Sequence, residues 1–405
     1  MQRLLVPLRT ILRHRDFVVL LGCNLLIGLA YSFVGPFVSM FGTLEVKMSP
    51  VVFSVFMTIT SVSAIVLTTI LARWSDTHLS RRTVLVLGGG CGALGYVGYA
   101  FVRDVVWLTV IGSTFLAVSA ITFSQLFAQA RDLLPRLNVD PRETPLYMNV
   151  FRLFFALSWT VGPAIASWVM VLYSYRGMFL VAALLFLVFM LVVHRCVPEL
   201  PPPAQGAARA PLAQVLRRPD LLAYFAGFVL VFMSATMCMM NLPLLVLDTL
   251  GGNARHVGVI YSVAPVFELP FMLYFGVLAS RGDQAGVIRT GVFIAVIYYL
   301  ALSLVQAPWH VYPLQMLGAA ATAVTSGVAI TFFQNYLPGQ AGTATNLYAS
   351  AQRLGSTIGY LLFGVLLAAF GHRTLFVICG GLCAVTLLLF FVQSRRPAWI
   401  ASATA

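Results

Sequence analysis

The stretches LYMNVFRLF, Leu146 to Phe154, and LYASAQRLG, Leu347 to Gly355, decide the fold of this protein, because one pattern occurs twice in one chain. Both read Leu-Tyr-x-x-x-x-Arg-Leu, and they lie 201 positions apart. Each sets one arginine inside a long apolar segment, where a charge costs roughly 2.5–3.5 kcal/mol on membrane-insertion scales. The repetition of so costly a residue at matching places indicates an internal duplication.

The composition of the chain is that of a protein with many membrane-spanning helices. Of its 405 residues, 60% are hydrophobic and 9% are charged, whereas a soluble domain averages about 25% charged residues. Apolar runs of about 20 to 25 residues, the length that crosses a bilayer, recur from end to end. We therefore predict an all-α membrane protein with twelve transmembrane helices. The apolar runs lie near residues 17–42, 49–73, 83–102, 106–132, 144–172, 176–196, 221–247, 256–280, 286–305, 310–336, 341–370 and 373–394.

The distribution of positive charge predicts the orientation of these helices. The net charge is +13, and with the N-terminus in the cytoplasm eighteen of the 25 lysines and arginines fall on cytoplasmic segments and five on the opposite side. Cytoplasmic loops of membrane proteins carry such an excess. We predict a multi-pass protein of the bacterial inner membrane, with both termini cytoplasmic and its basic segments in contact with membrane lipid. The charge therefore does not indicate a nucleic-acid partner.

One polar stretch, rich in proline and alanine, divides the chain into halves at Val197 to Gln214. We predict an N-terminal six-helix bundle in residues 1–196, a cytoplasmic linker in 197–218 and a pseudo-symmetric C-terminal six-helix bundle in 219–405. Parallel halves of this kind usually bind their ligand between them, near the middle of the membrane. A second set of repeated residues supports the duplication: Leu71, Ala72, Asp76, Arg82 and Thr83 recur 207 positions later as Leu278, Ala279, Asp283, Arg289 and Thr290.

The loops that carry this second repeat each contain an acidic residue followed by arginines. Asp76 can accept hydrogen bonds from helix-end amides and pair with Arg81 or Arg82, and Asp283 holds the matching position in the second half. One interpretation is a conformational clasp that is released and remade as the halves move. The other is an ordinary charged turn.

Three ionisable residues lie deep inside predicted helices: Arg152, Glu268 and Arg353. Each is about eight to twelve residues from a helix end, or roughly 12–18 Å at 1.5 Å per residue. The arginines either line a substrate cavity or pair with carbonyls or an acid that fix their own half. Glu268 is the only central carboxylate, and because a carboxylate removed from water holds a proton more readily, it is the candidate for proton coupling. The alternative for Glu268 is a permanent ion pair with an arginine.

Polar and aromatic residues share a helix face with each arginine. Asn149, Arg152 and Trp159 follow helical spacing, and 201 residues later the same face carries Arg353 and Tyr360. An arginine donates up to five hydrogen bonds, and an aromatic ring can stack on the apolar face of a sugar. The pattern predicts a neutral, hydrogen-bonding cavity, with no metal, no cofactor and no enzymatic activity. The predicted substrate contacts are Asn24, Tyr31, Gln125, Asn149, Arg152, Trp159, Asn241, Gln315, Arg353 and Tyr360.

Four motifs carry a resemblance to a known family. The loop after the second predicted span reads DTHLSRR, Asp76 to Arg82, and the others are SQLFAQAR, Ser124 to Arg131, LSWTVGPAIA, Leu157 to Ala166, and FFQNYLPGQAGTAT, Phe332 to Thr345. With its duplicated halves and central linker, the chain resembles the major facilitator superfamily. The aspartate separated by four residues from two arginines, and the other three motifs, are similar to those of the bacterial sugar efflux transporters.

The resemblance implies the major facilitator fold and a proton-driven exporter of mono- and disaccharides and related glycosides, which we expect to be monomeric. The segment WTVGP, Trp159 to Pro163, also resembles part of the glycine-proline motif of superfamily antiporters, although Ala166 and Ser167 replace the glycines expected further on. Inside the superfamily, the alternative is a multidrug or other small-metabolite exporter. Outside it, the alternative is a membrane receptor or assembly factor that transports nothing.

Overall fold

The structure, a computed structural model, describes residues 14–77, 79–140, 143–200, 218–337 and 340–394. Within these ranges the chain is built from helices and short connections, and no strand occurs. The predicted all-helical class is confirmed. The helices are α1 (Arg15–Glu45), α2 (Pro50–Thr77), α3 (Arg81–Phe101), α4 (Val105–Leu137), α5 (Thr144–Cys196), α6 (Pro219–Thr249), α7 (Ala254–Ser280), α8 (Gln284–Ser303), α9 (Pro308–Tyr336) and α10 (Ala341–Ser394).

Ten helices in the described ranges are long and apolar enough to cross a membrane, where the sequence predicts twelve. The difference comes from α5 and α10, whose apolar parts of 51 and 52 residues are more than twice the length of about 20 residues that one crossing needs. Each contains one residue with a non-helical backbone, Ser174 (φ 60°, ψ −174°) and Gly371 (φ 76°, ψ 174°). Both interruptions fall where the sequence predicts a short loop between two spans.

The chain divides into two compact units, one of residues 1–46 and 59–206, and the other of residues 47–58 and 207–405. The first residues of α2 therefore belong to the second unit, although the sequence predicts them in the N-terminal bundle. Their contacts explain this. The backbone N–H of Gly364 donates to Ser54 Oγ at 2.5 Å, and the ring of Phe53 meets that of Phe363 edge-on at 6.1 Å. Most of the predicted linker, residues 201–217, lies outside the described residues.

Small and hydroxyl-bearing residues bring the helices of the first unit into close contact. Where α1 packs on α5, Ser32 Oγ donates to the carbonyl of Ser158 at 3.1 Å, and Ser158 Oγ donates to the carbonyl of Leu25 at 3.2 Å. A Cβ at Gly162 would overlap Ser32 Oγ. Helices inside membranes associate through such residues, because they allow the backbones to approach and to exchange hydrogen bonds.

The second unit repeats this arrangement where α6 packs on α10. Ser234 Oγ donates to the carbonyl of Cys379 at 3.3 Å, and Thr386 Oγ1 donates to the carbonyl of Gly227 at 3.2 Å. Helix irregularities are repeated as well. Short π-helical segments end both α1 and α6, at 41–45 and 245–249, and interrupt both α4 and α9, at 112–116 and 323–328. The repeat in the sequence is thus accompanied by matching irregularities in the helix backbone.

Candidate functional site

The first half of α5 carries an exposed polar stripe. Asn149 and Arg152 are exposed, and Trp159 is partly buried on the same side of the helix. Neither Asn149 nor Arg152 makes a side-chain hydrogen bond to any described residue. The indole Nε1 of Trp159 is buried and also has no acceptor among them. Because a buried donor without a partner costs about 1–3 kcal/mol, the indole Nε1 is a candidate for contact with a bound polar molecule. Asn149 and Arg152 are candidates because their side chains are accessible.

A second exposed stripe on the same helix is apolar. It contains Leu146, Leu153, Leu157 and Val161, each between 38% and 47% exposed. Leu153 follows Arg152 directly and so points about 100° away around the helix axis. The apolar stripe is therefore displaced around the helix from Arg152, and it adjoins Asn149, which lies four residues before Leu153.

The first half of α10 repeats the polar stripe. Ser350 and Tyr360 are partly buried and Arg353 is exposed. The Arg353 guanidinium, like that of Arg152, makes no hydrogen bond or ion pair within the described ranges. Thr357, on the same face, is engaged in an interaction of its own. The two arginines that the sequence singles out are therefore both accessible, each in the first half of a long interrupted helix.

Glu268 lies in the middle of α7, between Pro265 and Pro270. Its side chain is partly buried and makes no hydrogen bond or ion pair with the described residues. The coupling role and the permanent pairing with an arginine both stay predictions. A proline has no N–H to donate to the carbonyl four residues before it. Each of the two prolines therefore removes one backbone hydrogen bond from α7.

Two predicted substrate contacts of the first unit are held within its helix packing. Asn24 is fully buried, and its Nδ2 donates to the carbonyl of Phe151 at 2.5 Å. The hydroxyl of Tyr31 donates to the carbonyl of Ser119 at 3.1 Å and lies 3.1 Å from Thr122 Oγ1. Asn24 Oδ1 has no donor among the described residues. These contacts favour a packing role for both side chains. The Oδ1 of Asn24 is the atom still able to accept a hydrogen bond from a substrate.

Gln125 belongs to a polar cluster at one end of α2, α3 and α4. Its Oε1 accepts hydrogen bonds from Ser75 Oγ at 3.1 Å and from Arg81 Nη1 at 2.9 Å. Arg81 Nε donates to Asp132 Oδ2 at 2.7 Å, and the two side chains are only 12% and 34% exposed. Sequence reasoning did not identify Asp132 as a partner, because it lies 51 positions from Arg81.

The two repeated loops contain the residues of the predicted clasp. Asp76 lies inside α2, and its side chain is outside the described part of the structure. Arg82 donates through Nη2 to the carbonyl of His194. Asp283 caps α8, since its Oδ1 accepts from the N–H of Gly286 at 2.7 Å and its Oδ2 lies 3.4 Å from Arg289 Nη2. The clasp remains a prediction, and in the second loop Asp283 shows the helix-end bonding proposed for these aspartates.

In the second unit, Asn241 is bound to His372, another residue that sequence reasoning missed. Asn241 Nδ2 donates to the carbonyl of His372 at 2.9 Å, and its Oδ1 lies 2.7 Å from His372 Nδ1. The other ring nitrogen of His372 lies 3.6 Å from Asp248 Oδ2. Asn241 is fully buried and joins α6 to α10, as Asn24 joins α1 to α5.

Gln315, the remaining predicted contact, is also buried. Its Nε2 lies 3.4 Å from both the hydroxyl of Tyr298 and the carbonyl of Val311. Of the ten predicted substrate contacts, five lie on the two polar stripes and have polar side-chain groups that bind no described residue. These residues are Asn149, Arg152, Trp159, Arg353 and Tyr360.

Comparison with known proteins agrees with this architecture. The sequence pattern of the Major Facilitator Superfamily matches residues 20–360. The chain belongs to this superfamily. Within it, the chain belongs with the bacterial sugar efflux transporters. A Deinococcus radiodurans protein whose name places it among them is 32% identical over 377 residues, 92% of this chain and 96% of the relative. Sugar efflux transporter A of Dickeya chrysanthemi is 30% identical over 353 residues, 87% and 89% of the two chains.

Two further comparisons are weaker in sequence. Multidrug resistance protein MdtG of Citrobacter koseri is 25% identical over 244 residues, 58% of this chain and 60% of the relative. The crystal structure of the nucleoside transporter NupG superposes with a TM-score of 0.79 over 94% of this chain and 99% of that one, at 14% identity. At this identity the likeness shows the fold alone. A multi-pass membrane protein of the superfamily with bacterial relatives of this kind belongs to an inner membrane.

Proposed function

We propose that this protein exports sugars or glycosides across the inner membrane by alternating access, in exchange for protons. The names of relatives that match it over nearly their whole length support the sugar as substrate. Two polar stripes, each with an arginine and an aromatic residue, provide the donors and ring faces that sugars use in binding.

The observation that carries the proposal is the accessibility of Arg152 and Arg353. Both lie inside apolar helices, both are exposed, and no described side chain engages either guanidinium. A charged group in contact with hydrocarbon costs several kcal/mol, so charged residues inside membrane proteins usually face water-filled paths. We infer that each stripe borders water along the transport path and that the arginines donate hydrogen bonds to sugar hydroxyls there.

The proposal includes twelve membrane crossings with both termini in the cytoplasm. The breaks at Ser174 and Gly371 support the count, because each separates two helical segments of about membrane length. The excess of arginine on the predicted cytoplasmic segments supports the orientation.

Glu268 is the proposed proton-coupling residue. It is a carboxylate within an apolar helix and has no described cation to hold it ionised. Such a group takes up a proton easily where water is scarce and releases it where water or an arginine approaches. Its protonation can therefore alternate between the two conformations of a transport cycle.

The test is sugar flux in inverted membrane vesicles with an imposed pH gradient, using the wild type, Glu268→Gln and a control. Glu45→Gln is the matched control, because it removes a carboxylate from an ion pair at the end of α1, where Glu45 binds Arg103 at 3.0 Å. We expect Glu268→Gln to abolish the response to the pH gradient and to keep passive sugar exchange, with Glu45→Gln close to wild type. An unchanged response to the gradient in Glu268→Gln would reject the coupling role.

A multidrug exporter is the second candidate. The exposed apolar stripe of α5 and the similarity to MdtG favour it. Competition of a panel of sugars and a panel of lipophilic cations for the same flux separates the two functions. Inhibition by the cations, without inhibition by any sugar, would overturn the sugar assignment.

A further inference from the structure

A groove of about 770 Å³ lies on the surface of the second unit, away from the polar stripe of α10. It is bordered by the end of α7, the start of α8 and the last turns of α10. Its polar lining includes Arg281, Asp283 and Arg289, and its apolar lining includes Phe293 and Phe391. This combination of two cations with an exposed apolar wall has no part in the transport site described above.

On both α7 and α8 the arginine lies nearer the loop that joins the two helices, and the apolar residue lies farther from that loop. Arg281 follows the end of α7, and Leu278, one turn earlier, is 40% exposed. Arg289 is in the second turn of α8, and Phe293, one turn deeper, is 52% exposed. Residues three or four apart share a helix face. Each helix thus presents a guanidinium at or near its end and an apolar side chain about 4.5–6 Å farther along the helix axis.

The third wall of the groove, from α10, is apolar. Leu387 and Phe391 lie one turn apart, and Phe391 is 45% exposed. The guanidinium of Arg289 lies 5.2 Å from the centroid of the Phe391 ring, close enough for a cation–π contact. This contact holds the Arg289 side chain against α10, so that its remaining donors border the groove.

The charges of the groove favour an anion. Asp283 is already engaged, since it accepts from the N–H of Gly286 and lies near Arg289. The Arg281 side chain makes no hydrogen bond to a described residue, and it is exposed. Two arginines and one aspartate leave a formal charge of +1. A zwitterionic headgroup gains little from such a site, whereas a headgroup with a net negative charge is attracted to it.

We propose that this groove binds an anionic phospholipid. Arg281 and Arg289 hold the headgroup phosphate at the membrane surface, and an acyl chain lies along Leu278, Phe293 and Leu387. The order of charge and apolar surface along the groove is the order of headgroup and chain in a lipid. Basic pockets next to membrane helices bind anionic headgroups through the same chemistry.

The test is native mass spectrometry of the full-length, delipidated protein with dioleoyl phosphatidylglycerol, with dioleoyl phosphatidylcholine and with soluble glycerol 3-phosphate. We expect clear preference for phosphatidylglycerol. Near a membrane surface each basic residue raises the binding constant for an anionic lipid by a factor of roughly five. Arg281→Gln should therefore weaken phosphatidylglycerol binding roughly fivefold, and the double variant Arg281→Gln and Arg289→Gln should weaken it roughly thirtyfold. Arg131→Gln is the control, because Arg131 is an exposed arginine of α4 outside the groove.

Several results would overturn the proposal. These are equal affinity for the two lipids, unchanged phosphatidylglycerol binding by the double variant, and equally tight binding of glycerol 3-phosphate, which would indicate a site for a free phosphate ester. A second measurement needs no variant and so does not depend on the variants folding. A photoactivatable phosphatidylglycerol should crosslink the wild-type protein at peptides of α7, α8 and α10, and crosslinks confined to other helices would refute the site.

Discussion

The ion pair of Arg81 and Asp132 should stabilise the first unit much more than the corresponding charges of the second loop stabilise the second unit. Arg81 Nε and Asp132 Oδ2 are 2.7 Å apart, and the side chains are 12% and 34% exposed. Arg289 and Asp283 are 3.4 Å apart, and Asp283 is 70% exposed. A hydrogen bond to a charged group contributes about 1.5–3 kcal/mol, whereas exposed pairs contribute about 0–1 kcal/mol.

The perturbation is a double-mutant cycle in each unit, with Arg81→Gln and Asp132→Asn in the first and Arg289→Gln and Asp283→Asn in the second. The cycle is needed because Arg81 has further contacts, and only the coupling free energy isolates the pair. We expect a coupling of about 2 kcal/mol in the first cycle and below about 1 kcal/mol in the second. The free energy of unfolding is measured by SDS titration in detergent micelles.

A coupling for Arg81 and Asp132 no larger than that for Arg289 and Asp283 would refute this reasoning, because distance and burial would then not determine the strength of the pair. Gln125 provides a second readout within the same cluster, since its Oε1 accepts from Arg81 and Ser75. If Gln125 serves this cluster, Gln125→Leu should lower stability by about 1–3 kcal/mol and change sugar affinity little. A tenfold loss of affinity at unchanged stability would return Gln125 to the substrate contacts.

Three further predictions concern helix packing, backbone strain and the transport path. Gly355→Ala should destabilise the protein by about 1–3 kcal/mol, because a Cβ would lie 2.5 Å from a carbonyl oxygen of a facing helix. Gly276→Ala is the control and should change stability little in the same SDS titration, since a Cβ there would meet nothing within 4 Å. Ser174 and Gly371 both have a backbone conformation that suits glycine. Ser174→Gly should therefore raise the free energy of unfolding, and Gly371→Ser should lower it, by about 1–3 kcal/mol each in that titration. Changes of the opposite sign would contradict this account. Trp159→Phe, which removes a buried donor without a described acceptor, should lower sugar affinity in equilibrium binding without lowering stability; unchanged affinity would argue against a substrate contact.

Much of the fold could be predicted because it depends on properties that are local in the chain. The length of apolar runs indicates membrane helices, and the spacing between repeated motifs indicates duplication. Even the interruptions at Ser174 and Gly371 fall in predicted loops. The assignment of residues 47–58 to the second unit could not be predicted, because it depends on contacts of Phe53 and Ser54 with residues more than 300 positions away.

The candidate site could be predicted only in part. A polar residue in an apolar helix must find a partner or water, and a sequence does not show which of the two it finds. Helical spacing located the stripes of Arg152 and Arg353, whose guanidinium groups are exposed. The same reasoning grouped Asn24, Gln125 and Asn241 with them, although each of these three is buried and hydrogen-bonded within its own unit.

The sequence by itself determined the membrane class, the repeated motifs and the positions of the rare charges, because hydrophobic length and repeat spacing are measured along one chain. Only the tertiary structure decided which polar groups are already occupied. The partners of Asn24, Gln125 and Asn241 lie 127, 44 and 131 positions away. Such hydrogen bonds form when helices pack, and a polar atom is available to a substrate only if packing leaves it without a partner.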